Sequence, residues 1–162
     1  MSVDEAARMA LELPEAAEGE RSGHRTWSVA GRAFAWERAF SKADIRRYGQ
    51  VTPPDGPILA VRVADLGEKE AVLAAGSEAF FTIPHFDGYS AVLIQLSAVT
   101  TDALHDAIVD GWLACAPPGL ADRYLAGGSG AAEGRNLSQL RVPASTSCRR
   151  YGRSPITTTA IR

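Results

Sequence analysis

Residues 26–40 read TWSVAGRAFAWERAF. Trp27, Val29, Phe34 and Trp36 alternate with small or polar residues, and Gly31-Arg32 separates the two halves. Alternation at period two marks strands with one buried face, and a glycine between them marks a turn. The stretch therefore predicts a β-hairpin that buries these four side chains together. A tight hairpin imposes antiparallel pairing, so the remaining strands are expected to extend an antiparallel sheet.

Upstream, Val3 to Leu13 is rich in Ala, Leu, Glu and Met, good helix formers, and Pro14 stops the helix they predict. Downstream, SKADIRRYG (41–49) predicts a short helix with Ser41 at its N-cap and Gly49 past its end. ILAVRVA (58–64) is a strand with Leu59, Val61 and Val63 on one face and Arg62 on the other. GEKEAVLAAG (67–76) follows as a short helix closed by Gly76. AFFTI (79–83) and YSAVLIQLSAV (89–99) form a second hairpin. A long helix comes next, capped by Thr101 or Asp102, with Leu104, Ile108, Val109, Trp112 and Leu113 on its apolar face. Pro117-Pro118 ends it, and LADRYLA (120–126) adds a last turn or two. The expected fold is α+β: an antiparallel sheet of about five strands, two hairpins plus one strand, covered by helices. The order is α-ββ-α-β-α-ββ-α-α.

With 162 residues, 46% hydrophobic and 22% charged, the chain matches one ordinary globular domain. No apolar run reaches the ~18 residues that a membrane span needs, so no membrane partner is expected. The acidic start lacks a signal pattern, and a cytoplasmic location is expected. Residues 1–125 hold 18 Asp and Glu against 11 Lys and Arg, a net −7, whereas residues 126–162 hold Glu133 against six arginines, a net +5. The folded domain is expected over 1–125. Residues 126–162, dominated by Gly, Ser, Thr and Arg without periodicity, read as a flexible tail. Within that tail GGSG resembles a linker, and SPITTTAIR resembles an out-of-frame histidine-codon run rather than native sequence.

Few residues carry recognisable chemistry. Cys115 and Cys148 lack metal-knuckle spacing, and Cys115 lies on the inner side of an apolar helix, as an inert core thiol would. There is no GxSxG elbow and no GxxxxGK[ST] loop. His85 and Asp87 lie two apart with no third ligand, and His105 sits at the solvated start of its helix, so neither a metal nor any other cofactor is expected. The loop in FFTIPHFDGYSAVLIQL (80–96) has structural reasons for most of its residues: Pro84 ends a strand, and Asp87-Gly88 makes the turn. His85 has none, and with Trp36 and Tyr89 it forms the candidate ligand-binding set.

LELPEAAEG, HRTWSVAGRAFAW, FFTIPHFDGYSAVLIQL and DGWLACAPPGLADRYL, in that order, resemble the MmcQ/YjbR-like family of small bacterial proteins over residues 3–125. That resemblance implies a compact α+β fold whose hairpins, here 26–38 and 80–96, serve as two DNA-binding wings. It supplies no catalytic residues. The nucleic-acid-binding candidates are Arg38, Lys42, Arg46, Arg47 and Tyr48, with Trp36 near in sequence for stacking; Arg21 with Arg25 forms a smaller basic pair. The −7 charge of the domain opposes this reading, because phosphate neutralisation supplies most non-specific affinity. The expectation is thus a small non-catalytic binding module, for DNA by resemblance. The alternative is a small molecule or protein partner in a cleft near residues 84–89.

Overall fold

The computed structural model describes residues 1–48, 53–75 and 77–127. The segment 126–162 therefore lies almost wholly outside the described residues, as do Gly49, Gly76 and Cys148. Among the described residues no helix is long and apolar enough to cross a membrane.

Helix α1 (Val3–Leu11) starts at Ser2, whose hydroxyl accepts from the Glu5 amide while Glu5 reaches back to the Ser2 amide. This capping box satisfies two amides that no helical carbonyl reaches. Six strands follow: β1 (Ala17–Arg21), β2 (His24–Val29), β3 (Arg32–Glu37), β4 (Ile58–Arg62), β5 (Phe80–Phe81) and β6 (Ala91–Gln95). They form one sheet in the order β1-β2-β3-β4-β6-β5, and every neighbouring pair is antiparallel. Helices α2 (Lys42–Tyr48), α3 (Leu66–Ala74), α4 (Thr101–Cys115) and α5 (Pro118–Gly127) complete the α+β fold.

The sequence reading gave about five strands; the sixth is β1. All five of its residues, AEGER, are exposed, so no hydrophobic alternation marks it. Pairing with β2 makes it a strand, and the β1–β2 turn places Ser22 (φ 54°) and Gly23 (φ 78°) in the left-handed region. Two successive positive φ values give the tight hairpin turn whose twist suits antiparallel strands. Ala30 (φ 48°) and Gly31 (φ 75°) repeat the device between β2 and β3. The α4 cap is Thr100, whose hydroxyl accepts from the Ala103 amide, rather than Thr101 or Asp102.

One face of the sheet is covered by α1 and α4. Trp27, Val29, Phe34, Leu59, Val61, Val92 and Ile94 meet Leu104, Ile108 and Trp112 there, all buried. Gly111 lets α4 approach closely: a Cβ would stand 2.6 Å from Val61 Cγ1 and 3.1 Å from the Arg62 carbonyl oxygen. Cys115 is buried in this layer, its Sγ 3.5 Å from the Ala33 carbonyl oxygen. Burial pushes its thiol pKa up, which keeps it neutral and unreactive.

Candidate functional site

The opposite face of the sheet is covered only in part. A second, smaller core joins Ile58, Ala60, Ala91 and Leu93 to Ile83 and Phe86 of the β5–β6 connection. Trp36, Phe40, Tyr48 and Phe81 pack at its border.

Trp36 lies on this second face, away from Trp27, Val29 and Phe34, which corrects the expectation of a single buried row. The cause is a β-bulge. Trp27 pairs with Ala35 and Ser28 with Ala33, leaving Phe34 as an extra residue in β3. One inserted residue reverses the alternation beyond it. Phe34 and Ala35 both join the helix-side core, and Trp36 emerges on the other face beside Phe86 (ring centroids 6.4 Å apart, 19° between planes) and Tyr89 (6.2 Å, 77°).

The loop opposite Trp36 is held by several devices. Pro84 opens a 3₁₀ turn, Pro84–Phe86, but β5 has already ended at Phe81, so the strand is shorter than AFFTI and Pro84 does not terminate it. Asp87 (φ −60°, ψ 131°) and Gly88 (φ 72°) then make a type II turn closed by the Tyr89 amide on the Phe86 carbonyl. Lys69 on α3, 6% exposed, donates from Nζ to the carbonyls of Phe86 (2.6 Å) and Tyr89 (3.1 Å). Burial lowers the Lys69 pKa, while Asp87 opposes that shift. Nothing in GEKEAVLAAG distinguishes Lys69 from a solvated helix lysine.

Between this loop and the β1–β2 turn lies a cleft of about 490 Å³. It brings together Trp36, His85 and Tyr89, the three residues singled out as a ligand-binding set. It adds Arg21, His24 and Arg62, which that set lacked. Arg62 is fixed twice, Nε donating to the Ala33 carbonyl at 3.1 Å and Nη2 to the Tyr89 hydroxyl at 2.8 Å. Its guanidinium also lies over the Tyr89 ring, 5.2 Å from the centroid. Among the described residues no carboxylate stands within 4.0 Å of Arg62 or of Arg21. A charge breaking the apolar run ILAVRV was the sequence signal for Arg62.

Of the nucleic-acid-binding candidates, Lys42, Arg46, Arg47 and Tyr48 lie on α2, and Arg38 and Arg47 meet at Asp44. Arg38 lines the cleft, but its Nη2 donates to the Asp44 carboxylate at 2.7 Å and its Nη1 to the Ala39 carbonyl. Asp44 is 4% exposed and also accepts from the Ser41 amide and hydroxyl. Burial works against its ionisation, yet these hydrogen bonds prevail and bring its pKa down to about 2. Arg47 stands 3.6 Å from the same carboxylate. Lys42 and Arg46 are exposed on α2, and Tyr48 is half-buried against Phe40, 5.5 Å between centroids. Arg25 is engaged by Glu18 (2.8 Å) and Asp4 (2.7 Å), so the Arg21–Arg25 pair divides: only Arg21 faces the cleft. Among the described residues no group of three potential metal ligands forms.

Fold and site together define a small α+β protein with a basic, aromatic-lined cleft on the less covered face of its sheet. It belongs to the family of the uncharacterized mycobacterial proteins Rv2570 and MT2646 of Mycobacterium tuberculosis and Mb2600 of Mycobacterium bovis. To each it is 40% identical over 126 residues, which cover 76% of this chain and 95% of the relative. No protein-family model matches the chain.

Proposed function

We propose that the protein is a small non-catalytic binding module whose cleft between the β1–β2 turn and residues 84–89 holds an anionic ligand. The observation that carries this reading is Arg62: an arginine in a cleft, oriented by two hydrogen bonds, with no carboxylate partner among the described residues. A positioned guanidinium without a counter-charge is a ready receptor for a carboxylate or phosphate. The cleft's volume lies within the range of small-molecule sites. Thermal-shift screening with anionic metabolites tests the reading. Stabilisation by a compound, lost in Arg62→Ala and in His85→Ala, is expected; a panel that leaves the melting temperature unmoved overturns it.

A second reading follows the MmcQ/YjbR-like resemblance and makes the module a cytoplasmic DNA-binding protein. Its support is the exposed Lys42 and Arg46 on α2, joined to the cleft through the Arg38–Asp44 pair. Duplex binding at two salt concentrations separates the readings. Affinity that falls steeply with salt, and is lost in Lys42→Ala with Arg46→Ala, favours DNA. Duplex binding that is absent even at low salt eliminates it.

A further inference from the structure

The anion reading leaves the ligand's class open, and the cleft narrows it. We infer that the cleft holds a nucleoside monophosphate, its ring on Trp36 and its phosphate on Arg62; this rests on the anion-binding reading above.

The charge arrangement favours a phosphate. Asp44 neutralises Arg38, whereas Arg21 and Arg62 have no such partner among the described residues. A phosphate monoester, carrying about −1.5 to −2 at neutral pH, offers the Arg62 guanidinium more charge and more acceptor oxygens than a single carboxylate does, and Arg21 adds positive charge to the same cleft. Because Arg62 spends Nε and one Nη2 hydrogen on fixed partners, its remaining Nη hydrogens are presented in a set direction.

The aromatic arrangement favours a planar ring. Trp36 is half-buried, stacked against Phe86 and edged by Tyr89, so its indole is held in place rather than free to rotate. A fixed indole is a stacking platform that any nucleobase can use, since every base offers a π face. Both Trp36 and Arg62 flank Tyr89, their ring and guanidinium 6.2 and 5.2 Å from its centroid. One small molecule can therefore reach both. A volume of about 490 Å³ accommodates one nucleotide.

Calorimetric titration of the full chain at low salt decides the matter, with AMP, GMP, CMP and UMP as probes. Adenosine, ribose 5-phosphate and a single-stranded dT oligonucleotide serve as comparisons. At least one monophosphate is expected to bind at least tenfold more tightly than ribose 5-phosphate, and AMP more tightly than adenosine. Arg62→Ala should bring AMP down to adenosine. Tyr89→Phe, which removes only the hydroxyl that orients Arg62, should weaken AMP while leaving adenosine unchanged. Trp36→Phe should retain part of the ring's contribution and Trp36→Ala none, with circular dichroism checking that each variant folds. If ribose 5-phosphate binds as tightly as the nucleotides, the nucleotide assignment fails and the anion site stands. If no phosphate binds, the nucleotide assignment fails and the anion reading falls only with the metabolite panel; if AMP binds and Arg62→Ala changes nothing, both fail. An oligonucleotide that binds far better than every monomer overturns the free nucleotide in favour of a strand.

Discussion

Lys69 Nζ donates to the Phe86 carbonyl at 2.6 Å, tying α3 to the wall of the cleft across 17 residues of sequence. With its second bond, to Tyr89, it holds both ends of the Asp87-Gly88 turn. A buried ammonium is tolerated only where such acceptors compensate for lost water.

Lys69→Met retains much of the side-chain length and removes the donors, leaving two carbonyls without their partner. The expected loss is about 1–3 kcal/mol of folding stability, the usual penalty for unmade buried hydrogen bonds. Amide exchange should accelerate more at Tyr89, whose amide closes the turn, than in β6. Uniform acceleration across the sheet would instead mean that Lys69 supports the whole fold.

Asp44 makes acid stability its own test. Its carboxyl titrates near 2, below the ordinary 3.8, so the folded state binds this proton less readily than the unfolded chain does. The stabilisation is therefore fully present above about pH 4 and lost as pH falls through about 2. A displacement of nearly two units corresponds to about 2 kcal/mol. Asp44→Asn should lower the urea midpoint at pH 7 and flatten its decline between pH 4 and 2. An unchanged acid limb would show that other carboxylates govern it.

Much of the architecture was legible because burial wrote it into the sequence. The β2–β3 hairpin, β4 and the apolar face of α4 all bury alternate or helically spaced side chains. Strand β1 was not legible, because AEGER exposes every residue and owes its conformation to pairing with β2. Glu18 gives the reason it stays there: its carboxylate accepts from Trp27 Nε1 at 3.1 Å and from Arg25 Nε at 2.8 Å. The site was half legible. Only His85 lacks a structural reason in the sequence, and Trp36 and Tyr89 join it as nearby aromatics, whereas Arg21, His24 and Lys69 acquire a role only when the β1–β2 turn and α3 meet the loop.

Gly111 tests how α4 sits on the sheet. Alanine ordinarily gains about 1 kcal/mol over glycine in a helix interior. Here its Cβ would meet Val61 Cγ1 at 2.6 Å and the carbonyl oxygens of Arg62 and Phe34 at 3.1 and 3.2 Å. Two of those atoms are backbone and cannot turn aside, so Gly111→Ala should destabilise by about 1–3 kcal/mol net, as overpacking does. Thermal unfolding reads the outcome, and a raised melting temperature would contradict the close approach of α4.

The bulge at Phe34 predicts that two aromatic residues two apart in one strand fail differently. Phe34 is fully buried among α4 and sheet residues, and Phe34→Ala should cost about 3–5 kcal/mol. Trp36 is half-buried on the other face, where part of its ring already meets solvent, so Trp36→Ala should cost less in stability. Its effect belongs in the cleft: ligand affinity should fall while cooperative unfolding persists. Were both residues on one face, as simple alternation dictates, the two variants would lose stability together. Paired denaturation and binding measurements distinguish the cases. A Trp36→Ala loss matching that of Phe34→Ala would return Trp36 to the main core and remove the aromatic floor from the proposed site.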